Sequence, residues 1–347
     1  MRKIGFISFI LLCCYLNLAI PVKADKTSQE VEFYEEVKRE VFLEDINSID
    51  ILDDDVYTAN DDFYYLKYNL KQKGKLIAFC ERVDYLYLLY FNNSYYLEQL
   101  DLKKGDSKLI KFDNKITDIK IKNDYIYLVG CLNDDAIIYR YSLDLTLYNM
   151  YTFGGDQYEE FCKIYFINDY IYLFGLKNGI SHNSPFLNVG NSMDIKPFII
   201  KIDNNYTIKK SFYINEHTEL ERFKSIIVDN QEIYFIIESN NQNYYQYTLN
   251  DDLQIKERYL ISNNQDISNI FLVNSYNIKN EKIYVYVTNH SLYYGSFTNE
   301  FVHTFKISDD IDCLNYTFIN SGILELFCTE NQKIIKYEVS MYYINFV

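Results

Sequence analysis

The side chains best suited to acid–base chemistry or metal binding are few. There are four histidines, His182, His217, His290 and His303, and the first three fall between strand-like segments. A zinc site wants His or Cys at short, fixed spacing. These residues lie far apart, so each reads as a loop residue, and no metal site is expected. The cysteines form no pattern either. Cys13 and Cys14 sit in the N-terminal apolar stretch, which leaves Cys80, Cys131, Cys162, Cys313 and Cys328, an odd set without Cys-x-x-Cys. Counting outward from a turn at Asn320-Ser321 puts Cys313 opposite Cys328, and the same count puts Cys131 opposite Ile116. A thiol there serves as a small apolar filler, so Cys313 and Cys328 are expected to be adjacent but reduced.

Asp50, Asp53, Asp54, Asp55, Asp61 and Asp62 form an acidic cluster. The Asp-x-Asp-x-Asp-Gly loop of a calcium site is missing, so the cluster reads as a solvated turn. There is no nucleophile elbow, phosphate loop, zinc helix or Ser/His/Asp signature, and nothing calls for a cofactor. Paired glycosidase carboxylates drawn from different segments would leave no mark in a sequence. The segment that departs most from its surroundings runs from Gly175 to Lys196, and Pro185 lies within it. Loops carry function more often than cores. Its candidate partner-binding residues are His182, Asn183, Ser184, Phe186, Asn188 and Asp194, joined by His290 from the equivalent connection of a later segment.

These residues need a scaffold, and composition narrows it. The chain has 347 residues, 48% hydrophobic and 24% charged, with 37 Tyr, 24 Phe and only 3 Pro. Aromatic and β-branched residues fit pleated, half-buried surfaces. The net charge is −15, a balance that repels phosphate backbones and argues against a nucleic-acid partner. At the N-terminus Arg2 and Lys3 precede an apolar stretch, Ile4 to Ile20, followed by Pro21-Val22-Lys23-Ala24. This is the layout of a secretory signal cleaved before Asp25, with an uncleaved signal anchor as the alternative, and either implies an extracytoplasmic destination. No second apolar run is long enough to span a bilayer after signal removal.

One pattern returns along the chain: an apolar run, a two-residue polar turn, then a run opening on an aliphatic–Tyr pair. It reads Ile121-Lys122-Asn123-Asp124-Tyr125-Ile126-Tyr127-Leu128-Val129-Gly130, and returns at Ile167-Asn168-Asp169-Tyr170-Ile171-Tyr172-Leu173-Phe174-Gly175. Looser copies surround Leu86, Ile233, Ile283 and Ile323, with a possible first copy at Val56. Intervals of roughly 30 to 60 residues, each holding about four strand-like segments, are the arithmetic of a propeller. The second run of each copy is almost continuously apolar, as expected of a strand covered on both faces.

The chain from 47 to 347 thus resembles β-propeller repeat proteins. Tyr286-Val287-Thr288-Asn289 is similar, in this one copy, to the tetrapeptide of the YVTN-type extracytoplasmic propellers. The fold expected is all-β, a propeller of about seven four-stranded blades, with six or eight as alternatives and an irregular first blade. Residues 1–24 form the signal and 25–46 an N-terminal segment. In that segment Phe33, Val37 and Val41 would share a helix face, or Val37 to Leu43 would be a strand closing the ring. The function expected is non-catalytic binding of a protein or glycan through one loop face. The alternatives are a hydrolase or lyase acting on an extracellular glycan, and a structural part of an envelope assembly.

Overall fold

Runs rich in Tyr, Ile, Val and Leu, separated by Asn/Asp turns, are what antiparallel hairpins need. In the computed structural model these runs are strands. The structure describes residues 31–32, 38–43, 49–53, 56–59, 62–229, 231–240 and 243–262, and beyond these the strands between 267 and 340. Among them the strands form seven antiparallel sheets, which are numbered here as blades, with strands a to d from the inside outward.

Blade 1 holds Ile49–Asp53, Val56–Ala59, Asp62–Tyr65 and Leu70–Lys73. Blade 2 holds Lys75–Arg82, Tyr85–Phe91, Tyr95–Asp101 and Ser107–Phe112. Blade 3 holds Lys115–Lys122, Tyr125–Leu132, Asp135–Ser142 and Leu147–Phe153. Blade 4 holds Glu159–Ile167, Tyr170–Asn178, Ile195–Ile202 and Ile208–Tyr213. Blade 5 holds Glu221–Asp229, Glu232–Ser239, Tyr244–Leu249 and Ile255–Ser262. Blade 6 holds Ile267–Asn274, Lys282–Thr288, Ser291–Thr298 and Phe301–Ser308.

Blade 7 is composite. Its strands a to c are Leu314–Asn320, Ile323–Glu330 and Lys333–Ser340, and its outer strand is Lys38–Leu43, paired from Lys38↔Glu338 to Leu43↔Ile334. Of the two readings of the N-terminal segment, the strand is the one found. Each strand a meets a neighbouring blade, and strand a of blade 7 meets strand a of blade 1, so the ring is closed. The first blade is irregular, with strands of four or five residues.

Strand b is the covered layer. Leu86 to Tyr90, Ile126 to Cys131 and Ile171 to Phe174 are buried without a break. The core therefore lies between blades. Val129, Ile138 and Phe153 of blade 3 pack against Phe161, Leu173 and Phe198 of blade 4. The aliphatic–Tyr pair has a second use. The hydroxyls of Tyr87 and Tyr172 donate to the carbonyls of Leu143 (2.9 Å) and Asp251 (2.5 Å), each in the c–d loop of the next blade. The ring fills the inter-blade space and the hydroxyl latches the neighbour.

The a–b turns take their first residue into the left-handed region, at Asn123 (φ 54°) and Asn168 (φ 52°), where Asn is tolerated. Strand a of blades 2 to 7 then carries a bulge near its start, as between Ile116 and Asp118 and between Leu314 and Tyr316. The bulge uses up one residue and corrects the cysteine register. Cys131 lies opposite Lys115 rather than Ile116. In blade 7 Asn320 pairs with Ile323, and Cys328 lies opposite Leu314 rather than Cys313. Cys313 is outside the described residues. Cys80, Cys131 and Cys162 are free thiols. Burial pushes Cys80 and Cys131 up to about 11, and Cys162 further still.

Candidate functional site

The b–c connection of blade 4, residues 179–194, is the long loop of the sequence reading. Strands a, b and c of that blade place Glu159, Lys177 and Lys196 side by side across the sheet, all with 0% exposure. The Lys177 ammonium donates to the carbonyls of Asn178 (2.6 Å) and Gly179 (3.1 Å) at the loop's first turn. Burial lowers its pKa, opposed by the charge of Glu159. Lys196 donates to Glu221 of blade 5 (2.8 Å) and to Asn215 (3.1 Å), with Asp194 at 3.8 Å. Glu221 in turn accepts from the backbone N–H groups of Glu216 (2.8 Å) and Thr218 (3.2 Å). A buried charge of this kind persists only when partnered on several sides, and these partners fix the loop's foot and the connection between blades 4 and 5.

The candidate residues divide into supports and surface. Phe186 is buried, with its ring 4.4 Å from Phe198 and close to Phe153 and Phe161. It is an anchor, not a contact surface. Asp194 is buried and accepts from the Asn191 N–H (2.8 Å). Asn188 accepts from the Ser181 N–H (2.9 Å), and Ser184 accepts from the Phe186 N–H (3.3 Å). His182 and Asn183 are exposed, and the His182 N–H donates to Asp156 (2.7 Å) of the connection between blades 3 and 4. His290 lies outside the described residues. Two residues the sequence reading passed over face outward from this loop, Leu187 at 63% and Met193 at 90% exposure. The buried charges were passed over too. Their signal was a lysine set into an apolar strand, as in Ile195-Lys196-Pro197-Phe198.

An open cavity of about 600 Å³ lies at the same end of the ring, between the blade 2–3 connection and the b–c turn of blade 3, and Asn114, Lys115, Cys131, Asp134 and Tyr158 line it. Burial works against the Lys115 ammonium, but Glu160 at 2.6 Å outweighs it and holds its pKa above the ordinary value. Burial, aided by Glu160, drives the Tyr158 phenol far above its usual range. These two groups and the neighbouring thiols keep their protons near neutrality.

No protein-family model matches the chain, and no curated protein matches it. Solved structures do. A domain described as the AfRom2 CNH domain matches at 10% identity and a TM-score of 0.51, covering 88% of this chain and 100% of that one. BamB from Moraxella catarrhalis matches at 8% identity and 0.49, covering 88% and 99%. The Dos1 propeller matches at 10% identity and 0.48, covering 78% and 79%. Among the described residues no helix is long and apolar enough to cross a membrane. What the AfRom2 domain shares with the chain is the fold alone, and by its own sheets the chain is a β-propeller, seven-bladed and closed by its own N-terminal strand.

Proposed function

We propose that the chain is an exported, non-catalytic β-propeller that binds a protein or glycan partner through the end of the ring carrying the 179–194 loop. One observation carries this reading. A loop rooted by Phe186 and the Lys196–Glu221 pair holds Leu187 and Met193 out at 63% and 90% exposure. Large apolar side chains left outward on a well-braced loop mark a contact surface, and bracing lowers the ordering cost of binding. The N-terminal layout, with cleavage before Asp25, supports export.

The test uses the mature chain purified from the medium, its mass first showing a start near Asp25. Wild type and the double variant Leu187→Glu/Met193→Glu are compared as bait against the native envelope and medium, and on a glycan array. One retained partner or glycan, lost in the double variant at unchanged Tm, is expected. Identical retention by both proteins would reject the loop as the contact.

A further inference from the structure

The opposite end of the ring, formed by a–b turns and c–d loops, repeats one device at successive blade junctions. The residue of strand c that pairs with the latching tyrosine of strand b lies beside the next blade's c–d loop. In blade 4 that residue is Lys201, paired with Tyr172. Its ammonium donates to the Asp251 carbonyl (2.9 Å) and the Asp252 carboxylate (3.2 Å), and lies 4.4 Å from the Tyr170 ring centre. In blade 3 it is Arg140, paired with Tyr127, whose guanidinium lies 3.6 Å from the Tyr125 ring centre. Both junctions thus carry an internal cation stacked on a tyrosine.

In blade 2 the same position is Gln99, paired with Tyr87. Its amide N–H reaches the Leu143 carbonyl at 2.7 Å, as Lys201 reaches Asp251. Asp144, the counterpart of Asp252, meets groups of its own loop, the Ser142 and Thr146 hydroxyls and the Thr146 backbone N–H, and no cation among the described residues. Tyr85, the counterpart of Tyr170, has no cation over its ring among the described residues, whereas Lys201 covers Tyr170. Gln99 is 7% exposed, and its Oε1 accepts no hydrogen bond among the described residues. An open groove of about 590 Å³ lies where the cation sits in the sister junctions. On its rim Arg82 is committed to Asp124 (2.7 Å), and Val83, where two sister turns have Asn, holds a left-handed φ of 49° at 91% exposure.

We propose that this groove between blades 2 and 3 binds an organic cation supplied from outside, an ammonium or guanidinium group. It would stack on Tyr85 and pair with Asp144 and the Gln99 carbonyl oxygen. The groove offers a ring face, a carboxylate and an amide oxygen, which favour positive charge and N–H donors; Lys104, paired with Asp101 (3.8 Å), and Lys108 also line it, against Asp84, Asp101 and Asp106. The source is either a lysine or arginine side chain of a partner or a free polyamine. The site is at the other end of the ring from the 179–194 loop and does not rest on the function proposed there.

Binding is measured by calorimetry with spermidine and with the peptide acetyl-Gly-Lys-Gly-amide, against its norleucine analogue. Wild type should bind at least one of the two cationic probes saturably and the norleucine peptide not at all. Tighter binding of the lysine peptide identifies a side chain as the source, and tighter binding of spermidine a free amine. Gln99→Lys, which copies blade 4, should abolish binding and raise Tm, because the protein then supplies its own cation. Asp144→Asn should weaken binding about tenfold. Ser211→Lys adds the same charge on an exposed strand of blade 4 and should change nothing, which separates the groove from general attraction to an acidic surface. No saturable binding of either cation, equal binding of norleucine, or binding that survives Gln99→Lys would overturn the proposal.

Discussion

Lys196 shows how a single side chain can hold two loops. It is fully buried, and its ammonium ties Glu221 and Asn215 together beneath the 179–194 connection. Removing one partner of a buried pair leaves an uncompensated charge, a loss of about 3–5 kcal/mol. Lys196→Met should therefore lower stability in urea unfolding by about that amount. Adding Glu221→Gln should recover part of the loss, since the amide oxygen still accepts from the Glu216 and Thr218 N–H groups while the stranded charge is gone. A double variant no more stable than Lys196→Met would show that the charge is not the source of the cost. At this scale the sequence was legible where one residue type recurred in register. The aliphatic–Tyr pairs marked the strand that is covered on both faces, and that strand is buried; the latch that Tyr87 and Tyr172 add to the next blade came only with the structure. It was not legible for Glu159, Lys177 and Lys196. Charged residues at strand ends look solvated until the tertiary fold places a loop over them.

At the scale of the strand, the recurrent bulge decides what a counting argument can recover. Hairpins, turns and the covered b strands follow from local pattern, because each depends on residues close in sequence. The bulge inserts one residue through backbone bending, with no residue type to announce it, and so the cysteine pairings counted from the turn were displaced. It also creates a local demand. At Gly130, beside the bulge of blade 3, a Cβ would stand 2.0 Å from the Lys115 carbonyl oxygen and 2.9 Å from the Ile116 Cα. The matching positions before the bulge in blades 2 and 5 are Tyr90 and Ile237, so repeat logic alone would allow a side chain. The close backbone contact argues otherwise. Gly130→Ala should destabilise by about 1–3 kcal/mol, read as a lower urea midpoint at unchanged m-value. An unaffected midpoint would mean that strand a shifts freely at the bulge.

For the molecule as a whole, the class and blade number were readable from the repeat period, since every blade must present the same covered strand to its neighbours. The seventh blade was half readable: its fourth strand comes from the N-terminal segment, outside any repeat, so the pattern left that segment open between a helix and the ring-closing strand that is found. Without Lys38–Leu43, strand Lys333–Ser340 becomes an exposed edge, and bare edges recruit other chains. Removal of residues through Val37 should leave Tm nearly unchanged. Removal through Leu43 should lower it by roughly 5 °C or more and raise light scattering on heating. Equal behaviour of the two truncations would show that the ring does not depend on this strand.

That composite blade also sets a clock. Lys38 pairs with Glu338, some 300 residues further along. During synthesis in the N-to-C direction, the outer strand of the last blade emerges some 300 residues before its partner. The other six blades can form from near neighbours while it waits. Closure is then a separate, late event governed by the long loop that must be brought together. The strand opens Lys38-Arg39-Glu40, and charges suit a segment that must stay unpaired for most of the chain's assembly.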